Sequence, residues 1–149
     1  MQRIGLFTGT FDPFTIGHQN IVERVSPLFD KIIIAVALSK LKNTEEEISK
    51  RIAEISTLYK DDDKVEVRAY SDLTVDMAKR EKADYIIRGV RSVKDFEYER
   101  EQADINKQLS GIETILLFSE PQYGSISSTL VRELRFFGKE ASQFLPKKK

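Results

Sequence analysis

Three short stretches of this chain carry residue types suited to holding phosphate. The first is Gly9-Thr10-Phe11-Asp12-Pro13-Phe14-Thr15-Ile16-Gly17-His18, which follows an apolar run and contains the only histidine. Its order predicts a strand, a glycine-bearing turn and a helix N-terminus. In such a unit the loop amides approach an anion and the helix end adds partial positive charge. The spacing of Thr15, Gly17 and His18 sets the imidazole on the opening helical turn, and Gly17 has no side chain to block a close phosphate. A structural cap is the competing reading of a lone histidine there. The second stretch, Arg88-Gly89-Val90-Arg91, sets two forked guanidinium groups around a glycine, suited to gripping two anions at once. Its bland reading is a charged loop before a solvated helix. The third, Ile126-Ser127-Ser128-Thr129, offers three hydroxyls at a helix start, where they serve equally as caps or as triphosphate ligands.

The elements around these stretches alternate. Residues 3–8 predict a first strand, and Ile21, Val22, Val25, Leu28 and Phe29 recur at helical spacing after it. Residues 31–37 form a β-branched apolar run that suits a strand buried on both faces. A polar loop over 39–43 contains Lys42, and Thr44 with Glu47 predicts a capping box ahead of the stripe Ile48, Ile52, Ile55 and Tyr59. Residues 64–70 alternate as a strand nearer the edge, a short helix covers 75–81, and Tyr85-Ile86-Ile87 is a short strand running into Arg88. Ser92 and Asp95 open a polar helix to about residue 109; a strand follows over 114–118, then a loop over 120–125. A last amphipathic helix carries Leu130, Val131, Leu134 and Phe137, with Gly138 ending it and a short helix before Pro146. The order βαβαβαβαβα implies an α/β fold: a doubly wound, five-stranded parallel sheet with helices on both faces. Ligands of such sheets bind beyond the carboxyl ends of the strands. Thr10, Lys42, Thr74, Arg88 with Arg91, and the serine cluster each follow a different strand.

Composition narrows the classes. With 149 residues, 40% apolar and 32% charged, the chain is expected to be one soluble domain, 1–149. The 24 basic and 24 acidic side chains cancel, which argues against a general nucleic-acid or membrane binder. No cysteine is present, so disulfides, thiolate metal sites and a cysteine nucleophile are excluded. Neither a leader-like segment nor a membrane-length apolar run is seen, and a cytoplasmic location is expected. Lys147-Lys148-Lys149 reads as a solvated tail.

Thr15-x-Gly17-His18 resembles the T/HxGH motif of the nucleotidyltransferase superfamily, and Ile126-Ser127-Ser128-Thr129-Leu130-Val131-Arg132 resembles its ISSTxxR motif. The run from Ile87-Arg88-Gly89-Val90-Arg91 through Phe96-Glu97-Tyr98-Glu99 is similar to the bacterial phosphopantetheine adenylyltransferases, and the similarity covers nearly the whole chain. The resemblance implies a Rossmann-like nucleotidyltransferase fold and the reaction of ATP with 4′-phosphopantetheine to give dephospho-coenzyme A and pyrophosphate. It implies that His18, Lys42, Arg91 and Thr10 are catalytic, and that Thr10, Lys42, Thr74 and Arg88 bind the phosphopantetheine side. ATP would be held by Thr10, Phe11, His18, Gly89, Val90, Arg91, Glu99 and by Tyr123, Gly124, Ser125, Ile126, Ser127, Ser128 and Thr129. The family often has Trp-Ser-Phe where this chain has Tyr123-Gly124-Ser125, so less aromatic surface faces the nucleotide. Thr74 is a position the family varies. Mg²⁺ would accompany the nucleotide, with no protein ligand assigned; Asp12 is the nearest carboxylate. A homohexamer is implied by the same resemblance. Sister enzymes acting on cytidine nucleotides or on nicotinamide mononucleotide share the superfamily motifs, and residues 88–99 favour the pantetheine enzyme over them. A non-catalytic nucleotide-binding module would be expected to lack His18 or Lys42.

The nucleophile in this reaction is a phosphate oxygen, already anionic at neutral pH, so no general base is needed. The problem is repulsion between two anions that must meet in line. Lys42 is expected to bridge the acceptor phosphate and the reacting phosphoryl group. Lys42→Ala should therefore damage both phosphopantetheine affinity and turnover in steady-state kinetics, and unchanged kinetics would remove Lys42 from the site.

Overall fold

The computed structural model describes residues 2–38 and 44–148. In chain order the elements are β1 (Ile4–Gly9), α1 (Ile16–Val25), β2 (Lys31–Ala37), α2 (Glu45–Leu58), β3 (Val65–Tyr70), α3 (Thr74–Arg80), β4 (Tyr85–Val90), α4 (Val93–Ser110), β5 (Glu113–Phe118) and α5 (Ser128–Phe136). Short 3₁₀ turns occupy Ser26–Leu28, Pro121–Tyr123 and Ser142–Phe144. The five strands form one sheet in the order β3-β2-β1-β4-β5, and every pairing is parallel. The chain first builds outward from β1 through β2 to β3, then crosses back to start β4 on the other side of β1. The carboxyl ends of β1 and β4 therefore flank the switch point, where open α/β sheets bind ligands.

The apolar run of β2 serves both faces. Ile32, Ile34 and Val36 pack with Phe7, Val22 and Ile55 beneath α1 and α2. Ile33 and Ala35 pack on the opposite face with Leu6, Ile86 and Met77 beneath α3. Each fully buried isoleucine contributes about 1.5–3 kcal/mol of transfer free energy, which explains why the uninterrupted apolar pattern specifies a central strand. Side-chain caps set four helix starts: Thr15, Thr44, Ser92 and Ser127 each accept a backbone N–H from the first turn. Such caps contribute about 1 kcal/mol each. Gly111, at φ 78°, ends α4 in a left-handed turn that a side chain would disfavour.

Four details depart from the sequence-based expectation. β4 does not stop at Ile87 but runs to Val90, because Arg88, Gly89 and Val90 pair with Leu116, Leu117 and Phe118 of β5. Arg88 thus projects from a rigid strand rather than a loop. The reciprocal capping box is seen at Thr15 and His18, whereas Thr44 accepts from Glu47 N–H at 3.1 Å. Phe137 lies past the end of α5 and is 67% exposed, so it is no part of the buried stripe, which Val131 carries. The C-terminal tail is anchored: the buried Gln19 side chain donates to the Lys147 carbonyl at 2.7 Å and accepts from its N–H at 2.9 Å. Lys42 lies outside the described residues. Among those described, no helix is long and apolar enough to cross a membrane.

Candidate active site

β1 delivers the first of the three stretches, from Gly9 to His18. A Cβ on Gly9 would lie 2.9 Å from the Phe11 ring, so only glycine lets the turn close over that ring. Phe11 takes a φ of 47° and sends its ring into the core, 5.1 Å from Phe7 and 5.0 Å from His18 between ring centres. Phe11 lines the cleft while its ring packs into the core. Beyond the turn, Thr15 and His18 cap each other. Thr15 Oγ1 accepts from His18 N–H at 3.3 Å, and Thr15 N–H donates to His18 Nδ1 at 2.9 Å. Since Nδ1 accepts, the hydrogen-bond network assigns the proton to Nε2.

The imidazole is packed among Phe7, Phe11 and Phe14, with its remaining edge at the cleft. Burial, reinforced by the positive charges of Arg88 and Arg91, lowers its pKa from the ordinary 6.5 to about 3. His18 is thus a neutral hydrogen-bond donor. What it offers the cleft is a fixed N–H, not a cationic charge.

Two cavities meet over the carboxyl ends of β1 and β4. The larger, of about 380 Å³, is lined by Thr10, Gly17, His18, Gly89, Arg91, Tyr123 and the Ile126-Ser127-Ser128-Thr129 stretch, among others. The smaller, of about 270 Å³, includes Tyr70, Thr74, Gln102, Asn106 and Thr114. Thr8, Gly9, Thr10, Arg88, Tyr98 and Glu99 line both and form the junction. Of the expected nucleotide residues, Val90, Gly124 and Ser125 do not line the larger cavity. Val90 is buried at the end of β4, on the face it shares with Arg88; Gly124 and Ser125 sit in the turn behind Tyr123. Thr74, at the start of α3, joins Tyr70 Oη through its hydroxyl at 2.9 Å on the smaller-cavity side.

The hydroxyls of the third stretch are already engaged. Ser127 accepts from Leu130 N–H, Ser128 donates to the Pro13 carbonyl at 2.6 Å, and Thr129 accepts from Arg132 Nη2 at 3.0 Å. These bonds tie α5 to the β1 loop. What α5 still presents is the positive end of its backbone, since helix geometry leaves the first amides without intrahelical acceptors. Among the five described helices, only α1 and α5 have no acidic residue in the first turn. Both of these N-termini open on the larger cavity.

The guanidinium groups are held in advance. Arg88 donates through Nε and Nη2 to Glu99, at 2.7–3.1 Å, and through Nη1 to the Thr8 carbonyl. Burial opposes its charge, but the Glu99 carboxylate outweighs that and raises the Arg88 pKa above its ordinary value. Glu99, expected as a nucleotide contact, is here the clamp on Arg88. Arg91 lies 3.5 Å from Asp95, and Asp12 lies 3.3 Å from Arg51. Each of these three carboxylates is bound to an arginine. Among the described residues no three His, Asp or Glu side chains gather as a cation site. The donors present do not fit a protein-held metal. Arg132 also lines the larger cavity; it is not among the expected contacts, although the ISSTxxR pattern contains it.

A parallel sheet with a switch-point cleft, two unopposed helix ends and clamped arginines defines a nucleotidyltransferase. Consistent with that class, a cytidylyltransferase-like family profile matches residues 6–134. A putative nicotinate-nucleotide adenylyltransferase from Vibrio parahaemolyticus shares the fold, with a TM-score of 0.71 at 20% identity over 99% of this chain and 95% of that one. Phosphopantetheine adenylyltransferase of Bacteroides thetaiotaomicron is 52% identical over 97% of this chain and 95% of its own length. That of Cytophaga hutchinsonii is 42% identical over 99% of both. The chain belongs to the phosphopantetheine adenylyltransferase family.

The lowered His18 pKa has a measurable consequence. The unfolded chain binds a proton near pH 6.5 that the folded chain refuses until about pH 3. Stability therefore rises with pH across that window, and the gain is complete above it. Because His18 is the only histidine, its imidazole NMR signals are unambiguous. They should remain those of the neutral Nε2–H tautomer from about pH 8 down to about 5. A titration midpoint near the ordinary histidine value would contradict the assignment.

Proposed function

We infer that the protein transfers the adenylyl group of ATP to 4′-phosphopantetheine, giving dephospho-coenzyme A and pyrophosphate. The observation that carries this reading is the pair of cavities sharing Thr8, Gly9, Thr10 and Arg88. A transfer between two anionic substrates needs two compartments whose common wall is where the phosphates meet. The family relatives, at 42–52% identity, support the same pair of substrates.

The larger cavity takes the nucleotide, its triphosphate lying against the N-termini of α1 and α5. The smaller takes the pantetheine arm, near Thr74, Gln102 and Asn106, with the terminal phosphate at Arg88. An oxygen of that phosphate attacks the α-phosphorus of ATP; the bond to the β-phosphate breaks, and pyrophosphate leaves with its electron pair. No proton need be removed from the nucleophile. The protein contributes position and preorganised charge, which supply most of the rate enhancement in phosphoryl chemistry. Arg88 and Lys42 hold the acceptor, Arg91 and the helix ends hold the triphosphate, and Nε2–H of His18 donates to the oxygens that gain charge in flight. Thr10, on the shared wall, keeps the two groups in register.

Mg²⁺ belongs to the proposal as a companion of ATP, held by phosphate oxygens and neutralising them. A cytoplasmic setting and a homohexamer complete it. Val93, Ile105 and Leu109 of α4 and Phe118 of β5 are exposed apolar side chains that support association of copies.

Incubation with ATP, Mg²⁺ and 4′-phosphopantetheine should yield dephospho-coenzyme A and pyrophosphate in equal amounts, and failure under varied conditions would overturn the reading. In the same assay His18→Ala should lower turnover ~10²–10³-fold while changing ATP binding far less, the signature of a donor used in the transition state. Equal losses in binding and rate would contradict that role.

A further inference from the structure

α2 carries an anomaly on its buried face. Ile52 and Ile55 pack against the core beneath the helix, and Arg51 lies beside them on the same face, only 8% exposed. Burying a guanidinium is costly, and an aliphatic side chain at the same place would serve packing more cheaply. A charge kept there is expected to do something that packing does not require.

What Arg51 touches indicates its role. Its Nη1 donates to the Thr10 carbonyl at 3.1 Å, and its Nη2 lies 3.3 Å from Asp12 Oδ1. One planar fork therefore grips both sides of the Phe11 turn, the point where β1 leaves the sheet. Thr10 lines both cavities and lies on their shared wall, so a shift in its backbone would move the meeting point of the two substrates. Arg51 itself does not line either of these cavities. It also belongs to the helix that directly follows the Lys42 loop.

We propose that Arg51 is a positioning residue for adenylyl transfer: it fixes the Thr10 turn from behind and ties its placement to that of α2. The proposal rests on the two-substrate reading above. Its effect falls on the alignment of bound groups, not on their affinity, because the groups that contact substrate all remain when Arg51 is changed. Misplacing reacting groups by about 1 Å can cost ~10²-fold in rate.

The test compares wild type, Arg51→Met and Arg51→Lys, with the folded fraction of each measured by circular dichroism at the assay temperature. Rates are expressed per folded molecule. Arg51→Met should lose at least ~10-fold in kcat while KM for ATP and for 4′-phosphopantetheine stays within about threefold. Arg51→Lys, which keeps a cation but not the planar fork, should recover part of the loss; it also carries the test should Arg51→Met not fold. An unchanged kcat per folded molecule in both variants, or a loss confined to KM, would overturn the proposal. An inactive wild type under all conditions would instead remove the functional reading beneath it, so the two failures are distinguishable.

Discussion

Thr15 donates its backbone N–H to Nδ1 of His18, and that bond decides what the imidazole can offer the cleft. With Nδ1 committed as an acceptor, Nε2 must carry the proton. With three phenylalanine rings around it and two arginines nearby, the ring stays neutral. A capping role and a chemical role are often weighed as alternatives for a histidine at a helix start. Here the first sets the terms of the second: the cap fixes the ring's tautomer and leaves Nε2–H as the donor it can offer. The core phenylalanines do the rest, which is why Gly9 must leave room for Phe11.

The charges of the cleft follow the same logic of preparation. Arg88 is held by Glu99 and Thr8, Arg91 by Asp95, and Arg132 by the Asp12 carbonyl and Thr129. None of these forks has to be ordered when a phosphate arrives, so less entropy is lost on binding. The helix ends of α1 and α5 add attraction that has no counter-charge in their first turns.

Much of this is legible in the sequence, for identifiable reasons. The apolar run of β2 and the alternation of elements determine a parallel sheet, and the placement of polar groups after strands follows from it. The Gly9–His18 and serine stretches stand out because their spacing matches a helix N-terminus. The apolar run of the fourth strand ends at Ile87, so Arg88 reads as its end and Gly89 as a strand breaker; pairing with β5 overrides that weak preference. The Glu99 clamp on Arg88 is not legible, because a sequence cannot show which carboxylate faces which arginine across eleven residues of strand end and helix. Arg51 draws no notice from its residue type alone, yet it interrupts an apolar stripe, and that interruption is the available signal. Phe137 fits the helical period but falls beyond the point where α5 ends.

In the proposed reaction one cleft brings two anionic groups together for a single direct displacement, with no residue of the protein taking the adenylyl group in between. The stereochemical course at the α-phosphorus tests this most directly. With ATP made chiral at that phosphorus by sulfur substitution, the product dephospho-coenzyme A should show inversion of configuration. Retention would require two successive displacements through an adenylylated protein, and would contradict direct transfer.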